Sequence, residues 1–183
     1  MSFRFSLNKT MQAAGVLLRM APNHRMRYIR LLKLLYIADR TSLRETGQPI
    51  TGDRVVAMRH GPVLSRVYDC VKGEFPNQIE WDRFFLVEEP FDIQMKTSPG
   101  VGELCRYEIE TLQRVSEERA LRDDWEIVDE AHQFEEWEDP GQTSTPIPYE
   151  NILRAVGRGA EIERLMAEAR ADLALDRLIE GNR

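Results

Sequence analysis

Apolar positions recur at three- and four-residue intervals along most of the chain. The first such run, Met11, Ala14, Leu17 and Leu18, predicts a core helix with Asn8 as its cap. The next run is denser. At about 100° per residue, Tyr28, Leu32, Leu35, Tyr36 and Leu43 share one helix face, and Asp39 falls in the middle of it. Asp39 is therefore expected to point inward. A carboxylate there is costly unless hydrogen-bonded or paired, so the following turn must supply its partner, with Arg54, His60 and the backbone N–H of Gly61 as candidates. The opposite face carries Arg30, Lys33, Arg40 and Arg44, with Arg27 at its edge and Ile37 among them. It reads as a solvated basic face, the alternative being contact with phosphate or an acidic partner.

Gly47 is placed to end this helix, and Gln48 to Asp53 read as a turn. Val55 to Met58 form a strand-like run. His60-Gly61-Pro62 then opens a second helix, with Pro62 at its first position, running to Lys72 and ending at Gly73. Gly61 before a helix N-terminus is at most a weak anion-binding signal. Beyond Gly73 the period becomes two. Trp81, Arg83 and Phe85 alternate with Asp82, Phe84 and Leu86, and Phe91, Ile93 and Met95 alternate with Asp92, Gln94 and Lys96, predicting a small hairpin-like sheet over the helices. Ile109, Leu112 and Val115 mark another helix. Trp125, Val128, Ala131 and His132 mark one more, capped by Asp123 or Asp124; Gly141 to Pro146 is a loop, and Pro148 restarts a helix. From Ala160, the residues Ile162, Leu165, Met166, Ala169 and Leu173 share one face of an amphipathic helix of about four turns. This helix either packs on its own domain or, set apart by Gly157 and Gly159, docks on a partner or on a copy of itself. The fold class expected is mainly α (α+β): a compact multi-helix domain with a small antiparallel β element and a C-terminal amphipathic helix.

At 183 residues the chain fits one domain with an appendage and needs no metal or disulfide to hold together. Cys70 and Cys105 are far apart and form no Cys-x-x-Cys pair, so reduced thiols and a cytoplasmic setting are expected. No stretch approaches the roughly 18 apolar residues of a membrane span. Charge adds more. The net of −6 conceals a polar distribution: residues 1–66 hold 12 Lys/Arg against 3 Asp/Glu, whereas Glu108 to Asp139 hold 13 acids against 3 bases. Either the halves neutralise one another, or an acidic face attracts a basic protein partner. Overall acidity weighs against general DNA binding, which depends on Lys/Arg contacts with phosphate.

The blocks KLLYIADR (Lys33–Arg40), GQPITGDRVVAMRHGPV (Gly47–Val63) and VYDCVKG (Val67–Gly73, with Tyr68) resemble the Panacea domain, also called the SocA-like antitoxin domain, known from phage-associated proteins and bacterial toxin-antitoxin operons. DWEIVDEAHQFEEW (Asp124–Trp137) is similar to that family's second helical motif, a His followed by a Trp, here His132 and Trp137. Ile147, Glu150 and Ile152 in PIPYENIL match its closing pattern. The resemblance covers about Asn8 to Val156, which sets a domain at 1–157 and a helical tail at 158–183. It departs at Leu104-Cys105, where family members commonly carry Leu-Ser, so a capping hydroxyl is missing.

This resemblance implies a non-catalytic antitoxin that binds a cognate toxin protein and neutralises it, by occlusion or as an adaptor delivering it to an energy-dependent protease. Repression of its own operon is a further possibility, though no appended helix-turn-helix is evident. An enzyme reading has only Asp39, Asp53 and His60 as an acid-base cluster, because no nucleophile elbow, metalloprotease, phosphate-loop or dinucleotide motif occurs. No cofactor or metal is expected. The residues singled out as motif positions, structural or partner-contacting, are Asp39, Arg40, Asp53, Arg54, His60, Gly61, Pro62, Tyr68, His132 and Trp137. For His132 and Trp137 the choice lies between a satisfied structural histidine and an aromatic-polar patch. A homo-oligomer remains open.

Overall fold

The computed structural model describes residues 3–88 and 90–180. Its centre is α2 (Tyr28–Thr46), in which every residue from Leu31 to Asp39 is buried. A helix buried on all sides needs neighbours all round. Here they are α1 (Leu7–Met20), α5 (Arg106–Glu117), α6 (Asp124–His132), α7 (Tyr149–Ala155) and the strand β3 (Gly61–Leu64). The middle of the basic side of α2, at Arg30, Lys33 and Arg40, is thus covered, and the expectation of a solvated face is corrected there, while Arg27 and Arg44 at its ends are exposed as expected. Gly47, at φ +80°, closes α2 as expected, its N–H donating to the Leu43 carbonyl. The cap of α1 is Ser6, whose hydroxyl accepts from the Lys9 N–H, and not Asn8, whose amide turns to Glu103.

Two three-stranded antiparallel sheets flank the helices. One has the order β1 (Arg25–Arg27), β5 (Asp92–Met95), β4 (Phe85–Glu88); the other β3, β2 (Val55–Met58), β6 (Thr145–Ile147). Pro62 therefore does not begin a helix. Met58 pairs with Gly61 and Ala57 with Pro62, so Arg59-His60 form a two-residue hairpin turn and α3 (Ser65–Lys72) starts three residues later. Gly61, at φ +89°, supplies the backbone that the turn requires. Trp81 lies in a short helix, α4 (Gln78–Phe84), and not in a strand. Trp81 and Phe85 are four apart and both buried, a spacing that a helix and an alternating strand satisfy equally. β6 occupies part of the stretch read as a loop, recruited by pairing with β2.

Asp123 caps α6, accepting from the N–H groups of Trp125 and Glu126, but Trp125 is 51% exposed and outside the core. At Cys105 the missing hydroxyl is offset by Glu108, which accepts from the Cys105 N–H at 2.9 Å. The last helix, α8 (Ile162–Glu180), buries Leu165, Met166 and Ala169 on the domain, with Leu165 seated against Gly47. Beyond them Leu175 and Leu178 are exposed. No described helix is long and apolar enough to cross a membrane.

Candidate functional site

Three buried polar networks tie the motif blocks together. The first is the bend after α2. Asp39 is buried, and Oδ1 accepts from the Ile50 and Thr51 N–H groups, each at 3.0 Å, while Oδ2 accepts from the Thr51 hydroxyl at 2.5 Å. The same hydroxyl oxygen accepts from the Asp53 N–H at 3.2 Å, linking the Asp39 carboxylate to the backbone of a second buried acid. Asp53 in turn accepts from the N–H groups of Arg54, Arg66 and Val67, the last two in the first turn of α3, so it serves as that helix's cap. Burial pushes Asp39 up to about 7 against the pull of Thr51 and Ile50, and Asp53 up to about 6 against that of Val67, Arg54 and Arg66. The inward acid is confirmed and its partners are corrected. They are bend amides and a hydroxyl, whereas the Arg54 side chain is exposed and neither His60 nor the Gly61 N–H reaches Asp39.

The second network lies at the hairpin turn. Lys33, 1% exposed, donates from Nζ to the Pro62 carbonyl at 2.8 Å, and burial pushes its amine down to about 7. A Cβ at Gly61 would stand 3.1 Å from that Nζ and 3.4 Å from Cδ2 of His132, so glycine permits the three segments to meet. The His132 ring stacks on Trp137, with centroids 4.3 Å apart and planes at 21°, and Trp137 Nε1 donates to the Met58 carbonyl at 3.1 Å. Nε2 of His132 is buried without a partner, so the histidine is not the fully satisfied structural one. On the outer side the rings of His60 and Trp125 pack edge to face with centroids 5.4 Å apart, and both residues are exposed.

The third network joins α2 to the loop after α6. The Glu136 side chain, 0% exposed, accepts from the Tyr36 hydroxyl at 2.5 Å and from Arg40 at 2.7 and 3.3 Å; the Arg40 guanidinium also lies 4.1 Å from the Phe134 ring centroid. Arg30 is likewise held, by the carbonyls of Arg119 and Arg122 and by Asp124. Internal compensation accounts for these members of the basic stripe.

Of the ten positions expected to matter, Asp39 and Asp53 share one network, Gly61, Pro62, His132 and Trp137 a second, and Arg40 enters the third. Arg54 contributes backbone groups alone, its N–H to Asp53 and its carbonyl to the Ser65 N–H, and Tyr68 is half-buried against the core. The cluster of Asp39, Asp53 and His60 is not assembled: the two acids are filled by local donors and His60 stands on the hairpin turn. Sequence reasoning missed Lys33 as a buried group, Thr51 as a bridge, Glu136 as an anchor, and Tyr149, whose hydroxyl donates to the Asp53 carbonyl at 2.6 Å. Among the described residues, no three His, Cys, Asp or Glu side chains are grouped to hold a metal. A cavity of about 450 Å³ lies apart from the first two networks, between β6, α7 and the loop carrying Glu135, Glu138 and Asp139.

The family model described as antitoxin SocA-like, Panacea domain, matches residues 31–138. That span contains Lys33, Tyr36, Asp39 and Arg40 at one end and Glu136 and Trp137 at the other, so it encloses most of the three networks. Neither a curated protein nor a solved structure matches the chain.

Proposed function

Because the chain belongs to the SocA-like antitoxin family, with its Panacea domain, we propose that it binds a cognate toxin protein and neutralises it by covering the toxin's functional surface. The observation that carries this reading is the family match across the segments that the buried networks hold together. Rigid cross-links between distant segments suit a surface that must keep one shape for a partner. The contact face we assign is the β2–β3 hairpin turn with the adjoining N-terminal part of α6. There Arg59 and His60 are exposed beside Trp125, and Trp and Arg are the side chains that most often dominate protein interfaces. Co-expression with the product of the adjacent gene tests it: a complex on gel filtration and restored growth are expected, and both are weakened by Trp125→Ala without loss of fold. Absence of complex and of rescue with the unmodified chain overturns the antitoxin reading.

A second reading is favoured by α8, whose outer part exposes Leu175 and Leu178 beyond its docked half. In this reading the helix engages an energy-dependent protease and the protein delivers the toxin to it. Toxin half-life separates the two, since occlusion leaves the toxin intact and delivery shortens its life. Operon binding through α2 gains no support, because Arg30, Lys33 and Arg40 are engaged within the chain.

A further inference from the structure

Lys33 is a fully buried amine whose single hydrogen bond goes to a neutral carbonyl, that of Pro62. Among the described residues no carboxylate lies within ion-pair distance of it. Facing it across Gly61 is the edge of His132 whose Nε2 is buried and unpartnered. The ring is fixed from its flat side by Trp137, which is itself tied to the end of β2. The groups that act on this imidazole are Lys33 from α2, the Arg59 carbonyl and His60 from the hairpin, and Asp129 from α6. Only Asp129 and the carbonyl favour a charged ring.

We propose that His132 and Lys33 form a proton-operated latch, which holds the hairpin turn Arg59–Pro62 against α6 while the imidazole is neutral and releases it when His132 is protonated. With the neutral ring's proton on Nδ1, a bare lone pair on Nε2 is tolerable beside the Lys33 amine. An added proton turns that lone pair into a buried N–H that has no partner in the closed form, and sets the imidazolium against the Lys33 amine, so that the two cannot both be charged there without raising its energy. Moving the turn outward gives both groups to water. It also breaks the Lys33–Pro62 and Trp137–Met58 bonds and displaces His60 from Trp125. Burial and the Lys33 charge hold His132 below the ordinary histidine range, so release occurs on the acid side of neutrality. That release would disturb the toxin-contact face rests on the antitoxin reading; the latch itself does not.

Hydrogen exchange of the Met58–Val63 amides in the full chain, corrected for intrinsic rate, is the direct measurement. Protection is expected to fall about tenfold between about pH 7.5 and pH 5.5, where histidine titrates. His132→Asn removes the imidazole and should shrink the fall in protection to the smaller part that belongs to Lys33, whose amine burial brings into the same window. Lys33→Met removes the like charge and should raise the His132 midpoint seen in its imidazole proton resonances. Protection that does not change with pH in the unmodified chain overturns the latch, as does a loss in His132→Asn as large as in the unmodified chain. Should Lys33→Met fail to fold, the His132→Asn comparison decides alone. In the complex with the adjacent gene product, acid dissociation should be weaker in His132→Asn. If no complex forms at all, the antitoxin reading fails while the exchange result still judges the latch.

Discussion

Glu136 is the residue whose removal should cost the fold most for its size. Its carboxylate has no exposed surface and carries three hydrogen bonds, one from the buried Tyr36 hydroxyl and two from Arg40, itself 17% exposed. Breaking a buried ion pair from one side costs about 3–5 kcal/mol, and orphaning a buried hydroxyl about 1–3 kcal/mol. These terms overlap, and Arg40 retains some access to water and its seat on Phe134. Glu136→Ala should therefore destabilise by about 3–4 kcal/mol, or roughly 6–16 °C in Tm for a chain of this size. Urea denaturation followed by near-ultraviolet circular dichroism measures it. Tyr36→Phe alone should cost about 1 kcal/mol, and almost nothing in the Glu136→Ala background, where its hydroxyl has already lost its acceptor. A Glu136→Ala cost below about 1 kcal/mol, or a Tyr36→Phe cost unchanged by the background, would refute the claim that this carboxylate ties α2 to the loop after α6.

Lys33→Met should flatten the stability profile above neutrality. Burial lowers the folded lysine to about 7 from 10.5, so the unfolded chain binds more protons between those values, and stability of the unmodified protein rises with pH there by up to about 1.4 kcal/mol per unit. Denaturation midpoints at several pH values show the slope, which the variant should lack. Asp39 has the opposite sign: its folded carboxyl is raised to about 7 from 3.8, so the folded chain binds more protons in that window and stability falls as pH rises through it. Asp39→Asn should be the less stable protein near the lower end, where the Thr51 hydroxyl loses its acceptor, and should gain on the unmodified protein towards neutrality. Gly52→Ala and Gly73→Ala both place a side chain at positive φ, but a Gly52 Cβ would fall 2.0 Å from the Arg4 carbonyl oxygen whereas nothing lies within 4 Å at Gly73. Thermal melts should show about 1 kcal/mol lost at Gly73 and clearly more at Gly52.

The inward placement of Asp39 was legible because one residue breaks an otherwise apolar stripe, and helical periodicity reports faces directly. Its partners were not, because they are backbone N–H groups and a threonine hydroxyl, which leave no charge signal to read. Lys33 was misplaced for a related reason. Periodicity shows which face of α2 is most apolar, but whether the other face meets water depends on α5 and α6, whose sequence lies some seventy or more residues away. The hint was present in the acid excess of Glu108 to Asp139, and Glu136 and Asp124 turn out to face Arg40 and Arg30. Pro62 satisfied the rule for a helix start equally well as a buried edge-strand residue, and the deciding fact was pairing with β2. Trp125 followed the apolar spacing of α6 yet stayed outside, which no local pattern distinguishes from burial.

The uneven charge along the chain thus has a physical role that net charge hides. Joining the basic first third to the acidic later segment through Arg30–Asp124, Arg40–Glu136 and Lys9–Glu108 lets the middle of α2, Leu31 to Asp39, be enclosed on every side. A partner then finds the middle of α2 covered and must meet what is mounted around it or the exposed last turn at Arg44–Thr46. At the hairpin turn, however, the central helix still reaches close to the surface, because Lys33 ends on Pro62 directly beneath the exposed Arg59-His60 pair. A ligand that displaces this turn must break a bond made by the core, and a change in the core must move the turn. That reciprocity follows from linkage and makes this end of α2 the place where binding and stability are coupled.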